Sequence, residues 1–332
     1  MPCTGKFKGC FREKQKNFSA RRDIMSSVLR KCLLISLIIA ALGAGAATKA
    51  FACACGCGVF GIGARWTMPT ESGLNMFLQY SFMDQDENWH GTGRASADLN
   101  GDKDIRTSFF TLGAQYMINR KWGVMAEIPY WDRYLRTTGD DGSIVSAEHH
   151  TLSDMSLMGV YTGFSPDMST GVQFGLKLPT GPYNLPGFDP DTQPGYGSVS
   201  SLLGGYHMGQ ERTWGWWAQG LWRHALYTNS NDYRPGDSFN LSEGVHYDRI
   251  APKTGIVPTL QLIESIRQRD GGASGDPDNT GFQRLFVTPG VEVDIYRGVK
   301  LFTDVQVPVY THVNGYQLVA PWLINTAVSY NF

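Results

Sequence analysis

The 332-residue chain is 42% hydrophobic, 12% aromatic and 18% charged, with 39 Gly, 15 Tyr and a formal charge of -1. Beyond one N-terminal stretch it holds no apolar run long enough to cross a bilayer as a helix. That excludes a polytopic helical membrane protein but not a barrel, in which inward polar residues cancel outward apolar ones in any average. The near-neutral charge also conceals an asymmetry: ten of 29 basic and two of 30 acidic residues lie within residues 1–52, leaving 19 and 28 beyond them and a charge of -9. Such a remainder argues against nucleic acid as a partner.

At the N-terminus, Arg30 and Lys31 precede an apolar run from Cys32 to Ala47, followed by Ala50-Phe51-Ala52. A basic start, apolar middle and A-x-A end make a cleaved secretory signal. Counted from Met25 it spans residues 25–52, with residues 1–24 a non-native or unstructured extension.

Cys3, Cys10 and Cys32 fall in the removed part, so the exported chain carries Cys53, Cys55 and Cys57 alone. Their spacing puts three sulfurs on one side of an extended segment, which suits a soft metal, although the paired C-x-x-C spacing of a structural zinc site is missing. A free thiol, an intermolecular bridge and acylation of Cys53 remain open, the last without the Leu three residues before the cysteine that a lipobox needs. Residues 53–71 form a Cys/Gly-rich periplasmic segment able to enter the barrel mouth as a plug.

From residue 72 onward, alternating segments at 74–84, 105–118, 122–134, 152–164, 170–180, 197–208, 213–227, 238–249, 255–267, 282–296, 298–311 and 318–332 predict twelve strands. Side chains alternate between faces along a strand, so these lengths suit tilted membrane-crossing staves. Connections alternate too. Asn119-Arg-Lys121, 165–169, 209–212, Ala251-Pro-Lys253 and Arg297 are short, whereas 85–104, 136–150, 181–196, 229–237 and 270–280 are long and rich in Asp, Gly, Asn and Pro. The prediction is an all-β transmembrane antiparallel barrel of about 12 strands over 72–332, with short periplasmic turns and long extracellular loops.

The phase of each strand nominates a lumen. Inward residues are Glu127, Trp131 and Arg133 on the third strand, Lys177 on the fifth, and Gln219 and Arg223 on the seventh. The tenth contributes Arg284, Phe286, Glu292 and Asp294, and the eleventh Lys300, Phe302, Asp304, Gln306, Pro308 and Tyr310. A charge facing the lipid midplane costs up to about 2–4 kcal/mol, which favours this phase. Strands 238–249 and 255–267 show no clean alternation. Three echoes, Glu127-Ile-Pro129, Lys177-Leu-Pro179 and Gln306-Val-Pro308, place an inward polar residue two before a Pro, predicting bulges or breaks near the rim because Pro removes a ladder donor. Trp214, Trp216, Trp217 and Trp222, with Tyr130, Tyr161, Tyr330 and Phe332, read as interface girdle; Trp131, Phe286, Phe302 and Tyr310 read as a ligand path.

Gly175-Leu-Lys-Leu-Pro-Thr-Gly181, Val305-Gln-Val-Pro-Val-Tyr310, Asn314-Gly-Tyr-Gln-Leu318 and the terminal Ala327-Val-Ser-Tyr-Asn-Phe332 resemble a family of Gram-negative outer-membrane transporters of the meta-pathway phenol-degradation type. The resemblance implies a porin-like barrel passing small aromatic or hydrophobic solutes, with no catalytic residues. The Cys triplet is not part of that pattern. Tyr330 and Phe332 resemble the terminal signal that barrel-assembly machinery recognises.

Asp98-Leu-Asn100-Gly-Asp102-Lys-Asp104 spaces oxygen ligands as calcium loops do, but its Gly is displaced and no bidentate Glu follows, so a solvated acidic loop is favoured over calcium. With Asp140, Asp141, Asp276 and Asp278 it predicts an acidic outer surface beside lipopolysaccharide. His149 and His150 fall in a predicted loop, and no Ser and His are spaced for a hydrolase, so no enzyme is expected. The expected function is passive passage of a small solute through an outer-membrane channel. The alternatives are a metal-handling barrel using the cysteines and a structural or adhesive barrel presenting acidic loops.

Overall fold

The computed structural model of the chain describes residues 67–332 apart from Asp140. In chain order the strands are β1 (Gly73–Gln85), β2 (Glu87–Gly91), β3 (Gly93–Arg94), β4 (Asp102–Met117), β5 (Trp122–Thr138), β6 (Ile144–Leu152), β7 (Ser156–Tyr161) and β8 (Thr170–Lys177). They continue as β9 (Ser200–Glu211), β10 (Trp214–Ala225), β11 (Ser238–Tyr247), β12 (Ile256–Arg267), β13 (Phe282–Tyr296), β14 (Val299–Val319) and β15 (Leu323–Asn331), with a short helix α1 (Ala251–Thr254) between β11 and β12.

Every pairing is antiparallel, and the sheet closes where β15 meets β1, from Asn75 opposite Asn331 to Met83 opposite Leu323. The result is a closed twelve-stave barrel in which β6 and β7 share one stave against β5. Closure of the ring leaves unpaired edges only on β3 and β6 toward the loop end, the condition for a β structure to lie in hydrocarbon, where no water satisfies a free N–H or C=O. Short turns gather at one end and long loops at the other, as the lengths of the connections predict.

Exposed Leu78, Leu112, Leu203, Leu260, Val307 and Val328 lie on the outside, while Phe77, Gln79, Met125, Leu202, Gln261 and Phe302 are buried inside. Two tiers of aromatic contacts frame the outer apolar band. Trp122 with Tyr161, Trp214 with Tyr247 and Tyr330 with Phe332 stand at the short-turn end; Tyr80 with Phe110 and Phe82 with Trp322 stand toward the loops. This is the girdled exterior of a transmembrane barrel.

The two strands without clean sequence alternation are regular in the fold. Val257, Thr259, Gln261, Ile263, Ser265 and Arg267 of β12 point inward, and so do Asn240, Ser242 and His246 of β11. What hides the phase is a pair of carboxylates on the outer face: Glu243 stands opposite Leu262, and Glu264 opposite Leu241. Glu243 is midway between Phe239, opposite Trp222, and Tyr247, opposite Trp214, and therefore sits near mid-height of the apolar band.

Several expectations need correction. Tyr310 is 47% exposed and faces outward opposite Leu285, because Val309 is bulged out of the β13 pairing between Pro308 and Tyr310, and the bulge reverses the phase beyond it. Trp217 belongs inside, buried against Met68 and Tyr206, since three of the four girdle tryptophans share one parity and the fourth cannot. The region 136–150 is a hairpin extension rather than a loop, placing His149 and His150 on β6. β14 runs on to Val319, where β2 pairs with it.

Replacing Glu243 by Leu removes a carboxylate from mid-height of the apolar band, and this variant should be about 1–2 kcal/mol more stable than wild type to urea in lipid vesicles. Unchanged or lower stability would place Glu243 away from lipid.

Candidate functional site in the barrel lumen

Two of the three sequence echoes meet in space. Glu127 of β5 pairs with Ser156 of β7, Ser156 with Lys177 of β8, and Lys177 with Ser200 of β9, so four inward residues form one rung across four strands. Ser156 Oγ donates to Glu127 Oε2 at 2.8 Å. Directly above this rung the wall is interrupted. β7 is separated from β6 by Ser153, Asp154 and Met155, and β8 ends just before Leu178-Pro179. Pro129 and Pro179 thus flank one break, and Pro308 adjoins the β14 bulge, as a missing ladder donor dictates.

The break turns Asp154 into the lumen, where it is 1% exposed and anchors the following loop. Its two oxygens accept from the backbone N–H groups of Gly181 at 3.1 Å and Tyr196 at 2.9 Å. Ser153 Oγ donates to the Pro194 carbonyl, and Arg133 Nη1 to that of Thr192 at 2.5 Å. Gln193 ties the loop to itself through Leu185 and Phe188. Residues 181–196, expected as an outside loop, are therefore folded inward as a plug, with Asp191, Thr192 and Gln193 buried.

Two further loops brace the mouth. Arg267 Nη2 donates to both oxygens of Asp270 at 2.7 and 2.8 Å, Tyr233 Oη donates to Asp270 Oδ2 at 2.8 Å, and Gly236 N–H donates to Oδ1 at 2.7 Å. Burial, reinforced by Asp270, holds the Tyr233 phenol well above its ordinary range, so it stays a neutral donor.

Beneath the plug is a cavity of ≈190 Å³. Its apolar lining includes Phe109, Trp131, Met125 and Met158, with Phe109 and Trp131 edge to face at 4.9 Å. Its charged lining comprises Glu127, Asp154, Lys177, Arg223 and Arg267. Tyr196, brought in by the plug, lies between two cations, with Lys177 Nζ 4.8 Å and Arg223 Cζ 4.9 Å from its ring centre. Such a mixed lining suits amphipathic solutes.

The remaining nominated residues are distributed along the barrel. Arg284 is buried over the Phe282 ring at 4.3 Å, and Phe286 and Phe302 are buried in separate apolar clusters. Asp304 accepts from Gln261 at 3.1 Å and Asn325 at 2.9 Å, and Gln306 is buried nearby. At the short-turn end Glu292 pairs with Lys300 at 2.5 Å, while Asp294, 52% exposed, lies at the mouth rather than in the lumen. A second cavity of ≈280 Å³ opens there between residues 68–75, Glu292 and Lys300. Thr67 accepts from Gln115 at 3.1 Å and Met68 packs on Trp217, so the segment leading into β1 reaches into this end.

Cys53, Cys55 and Cys57 lie outside the described residues. In the acidic run, Asn100 Oδ1 is taken by the Asp102 N–H at 2.9 Å and its amide donates to Asn88, while Asp104 pairs with Arg106. Among the described residues the His, Asp and Glu groups close enough to share an ion are Asp132, Glu148 and His150 on the outer face of β5 and β6, not this run. Sequence reasoning missed Asp154, Tyr196 and Arg267. Asp154 and Tyr196 border the Pro179 break, which is the one signal that marked the region.

Fold and lining together define a plugged transmembrane β-barrel. No protein family matches the chain, and no curated protein does. Among solved structures it is similar to an outer membrane channel from Pseudomonas putida F1, with a TM-score of 0.60 and 12% identity over 79% of this chain and 98% of that one. The β domain of the Bordetella autotransporter BrkA matches at a TM-score of 0.45 and 14% identity over 79% and 100% of the two chains. The P. putida toluene transporter TodX matches at 0.43 and 12% over 78% and 90%. At such identities the first similarity establishes a shared fold alone.

Replacing Asp154 by Asn turns one acceptor into a donor facing a backbone N–H and should loosen the plug by about 1–3 kcal/mol. Limited proteolysis within residues 181–196 should accelerate at least about fivefold; unchanged cleavage would deny Asp154 its anchoring role.

Proposed function

We propose that this protein is an outer-membrane channel of a Gram-negative bacterium that lets a small aromatic or hydrophobic solute cross passively. The observation that carries the reading is the ≈190 Å³ cavity inside the closed wall, lined by both apolar and charged side chains, beneath a plug held by hydrogen bonds. A purely structural barrel has no need of such a lining, and hydrogen bonds and packing leave the plug displaceable. The motifs resembling phenol-pathway transporters agree with this solute class.

In this reading the short turns and both ends of the barrel face the periplasm, after export through the N-terminal signal. The long loops face lipopolysaccharide. Phe332, which donates its N–H to the Leu74 carbonyl at 2.9 Å across the closing seam, serves as the signal for barrel assembly.

Liposomes containing the purified protein should swell or take up single-ring solutes such as benzyl alcohol faster than empty liposomes. No uptake of any small solute, with the barrel shown to be folded, would remove the channel reading. Deleting Phe332 should reduce the amount assembled in the outer membrane without changing the solutes passed by the molecules that do assemble; normal assembly would contradict the signal role.

A further inference from the structure

We propose that the cavity is a subsite for a single-ring aromatic carboxylate, with Arg223 receiving the carboxylate. The inference rests on the channel reading and specifies its solute class. Its starting point is a buried cation with an idle donor. Arg223 is 9% exposed and lines the cavity; its Nε donates to Ser238 Oγ at 3.2 Å and its Nη2 to the Gly236 carbonyl at 2.8 Å, while Nη1 has no partner. Nη1 is closed off from water, and leaving a charged donor buried and unmet is expensive, so a turn of the side chain toward the cavity it borders gives Nη1 an acceptor from outside the chain.

Two neutral donors lie at the start of β9, the strand paired with that of Arg223, and just before it. The hydroxyls of Ser198 and Ser200 are buried without partners. Ser200 pairs with Ala225, two residues from Arg223 on the same face, and its other cross-strand neighbour is Lys177. Diagonal neighbours of this kind lie about 7–8 Å apart, within reach of one small anion between two long cationic side chains.

The local acids do not bond Arg223 directly. Asp154, whose charge acts on Lys177 and Arg223 through space, gives its two oxygens to the Gly181 and Tyr196 N–H groups, Glu127 accepts from Ser156 on the far side of Lys177, and Asp270 is engaged by Arg267, Tyr233 and Gly236. The acceptor that completes Arg223 is therefore supplied by a ligand. A carboxylate matches the planar guanidinium better than a halide or an alcohol does, because its two oxygens align with paired N–H groups.

The other half of the ligand follows from the apolar part of the lining. Phe109 and Trp131 present an aromatic edge-to-face pair, with Met125 and Met158 beside them. A cavity of about 150 Å³ holds benzene, so ≈190 Å³ has room for one ring bearing a small polar group. Tyr196, already flanked by Lys177 and Arg223, supplies a ring at the anionic end; because it belongs to the plug, binding there couples the ligand to the element that closes the channel.

Titration calorimetry on the purified, folded protein in detergent tests this with benzoate, benzyl alcohol, benzylammonium and acetate. Benzoate should bind at least about tenfold more tightly than each of the other three, the scale of one charge-assisted hydrogen bond. Arg223→Gln should remove that preference by weakening benzoate at least about tenfold, and Ser200→Ala, a smaller perturbation, should weaken benzoate by about threefold. Absence of benzoate binding, equal binding of benzoate and benzyl alcohol, equal binding of acetate, or undiminished benzoate binding by folded Arg223→Gln would each overturn the proposal. Liposome uptake of benzyl alcohol separates the two readings: uptake without benzoate selectivity retains the channel and removes the subsite, whereas selective binding without any uptake retains the subsite and removes the channel.

Discussion

Closure of the backbone hydrogen-bond ladder is the constraint on which the remainder of this structure depends. In hydrocarbon no unpaired N–H or C=O is tolerated, so β15 must return to β1 and each stave must pair on both sides through the apolar band. Departures from regular pairing are confined to places where other groups take over. The Ser153–Met155 break is covered by hydrogen bonds to Pro129 and Leu178 and by the Asp154 contacts to the plug. The wall opens where the lumen can satisfy it.

That break links architecture to site. The same prolines that end pairing after Lys177 and beside Ser153 release residues 181–196 into the mouth, and this brings Tyr196 between Lys177 and Arg223. Side chains from ten strands, one interruption and one inward loop therefore build the cavity. No strand carries the site by itself, and a change at Asp154 acts on a solute path whose apolar lining includes Phe109 and Trp131.

Electrostatics divide the molecule in a second way. Inside, charges are met by ion pairs, carbonyls and aromatic faces, as with Arg267 on Asp270 and Lys300 on Glu292. Outside, Glu243 and Glu264 stand in the apolar band against the usual preference. These two outward carboxylates, with polar residues opposite on the inner face, are the reason β11 and β12 yield no phase from sequence even though their backbone pairing is as regular as that of their neighbours.

The alternation of apolar and polar residues by itself determined the number of staves, their approximate ends, which end carries long loops and the facing of Glu127, Arg133, Lys177, Arg223, Phe302 and Asp304, because lipid imposes a period of two on every crossing segment. The prolines at 129, 179 and 308 also marked where pairing fails. Only the tertiary structure decided that Val309 bulges and sends Tyr310 outward, that Trp217 points in, that 181–196 is a plug, and that Asp154, Tyr196 and Arg223 share a cavity. Those features rest on cross-strand register and on hydrogen bonds between residues distant in the chain, as between Asp154 and Tyr196, and no local period encodes them.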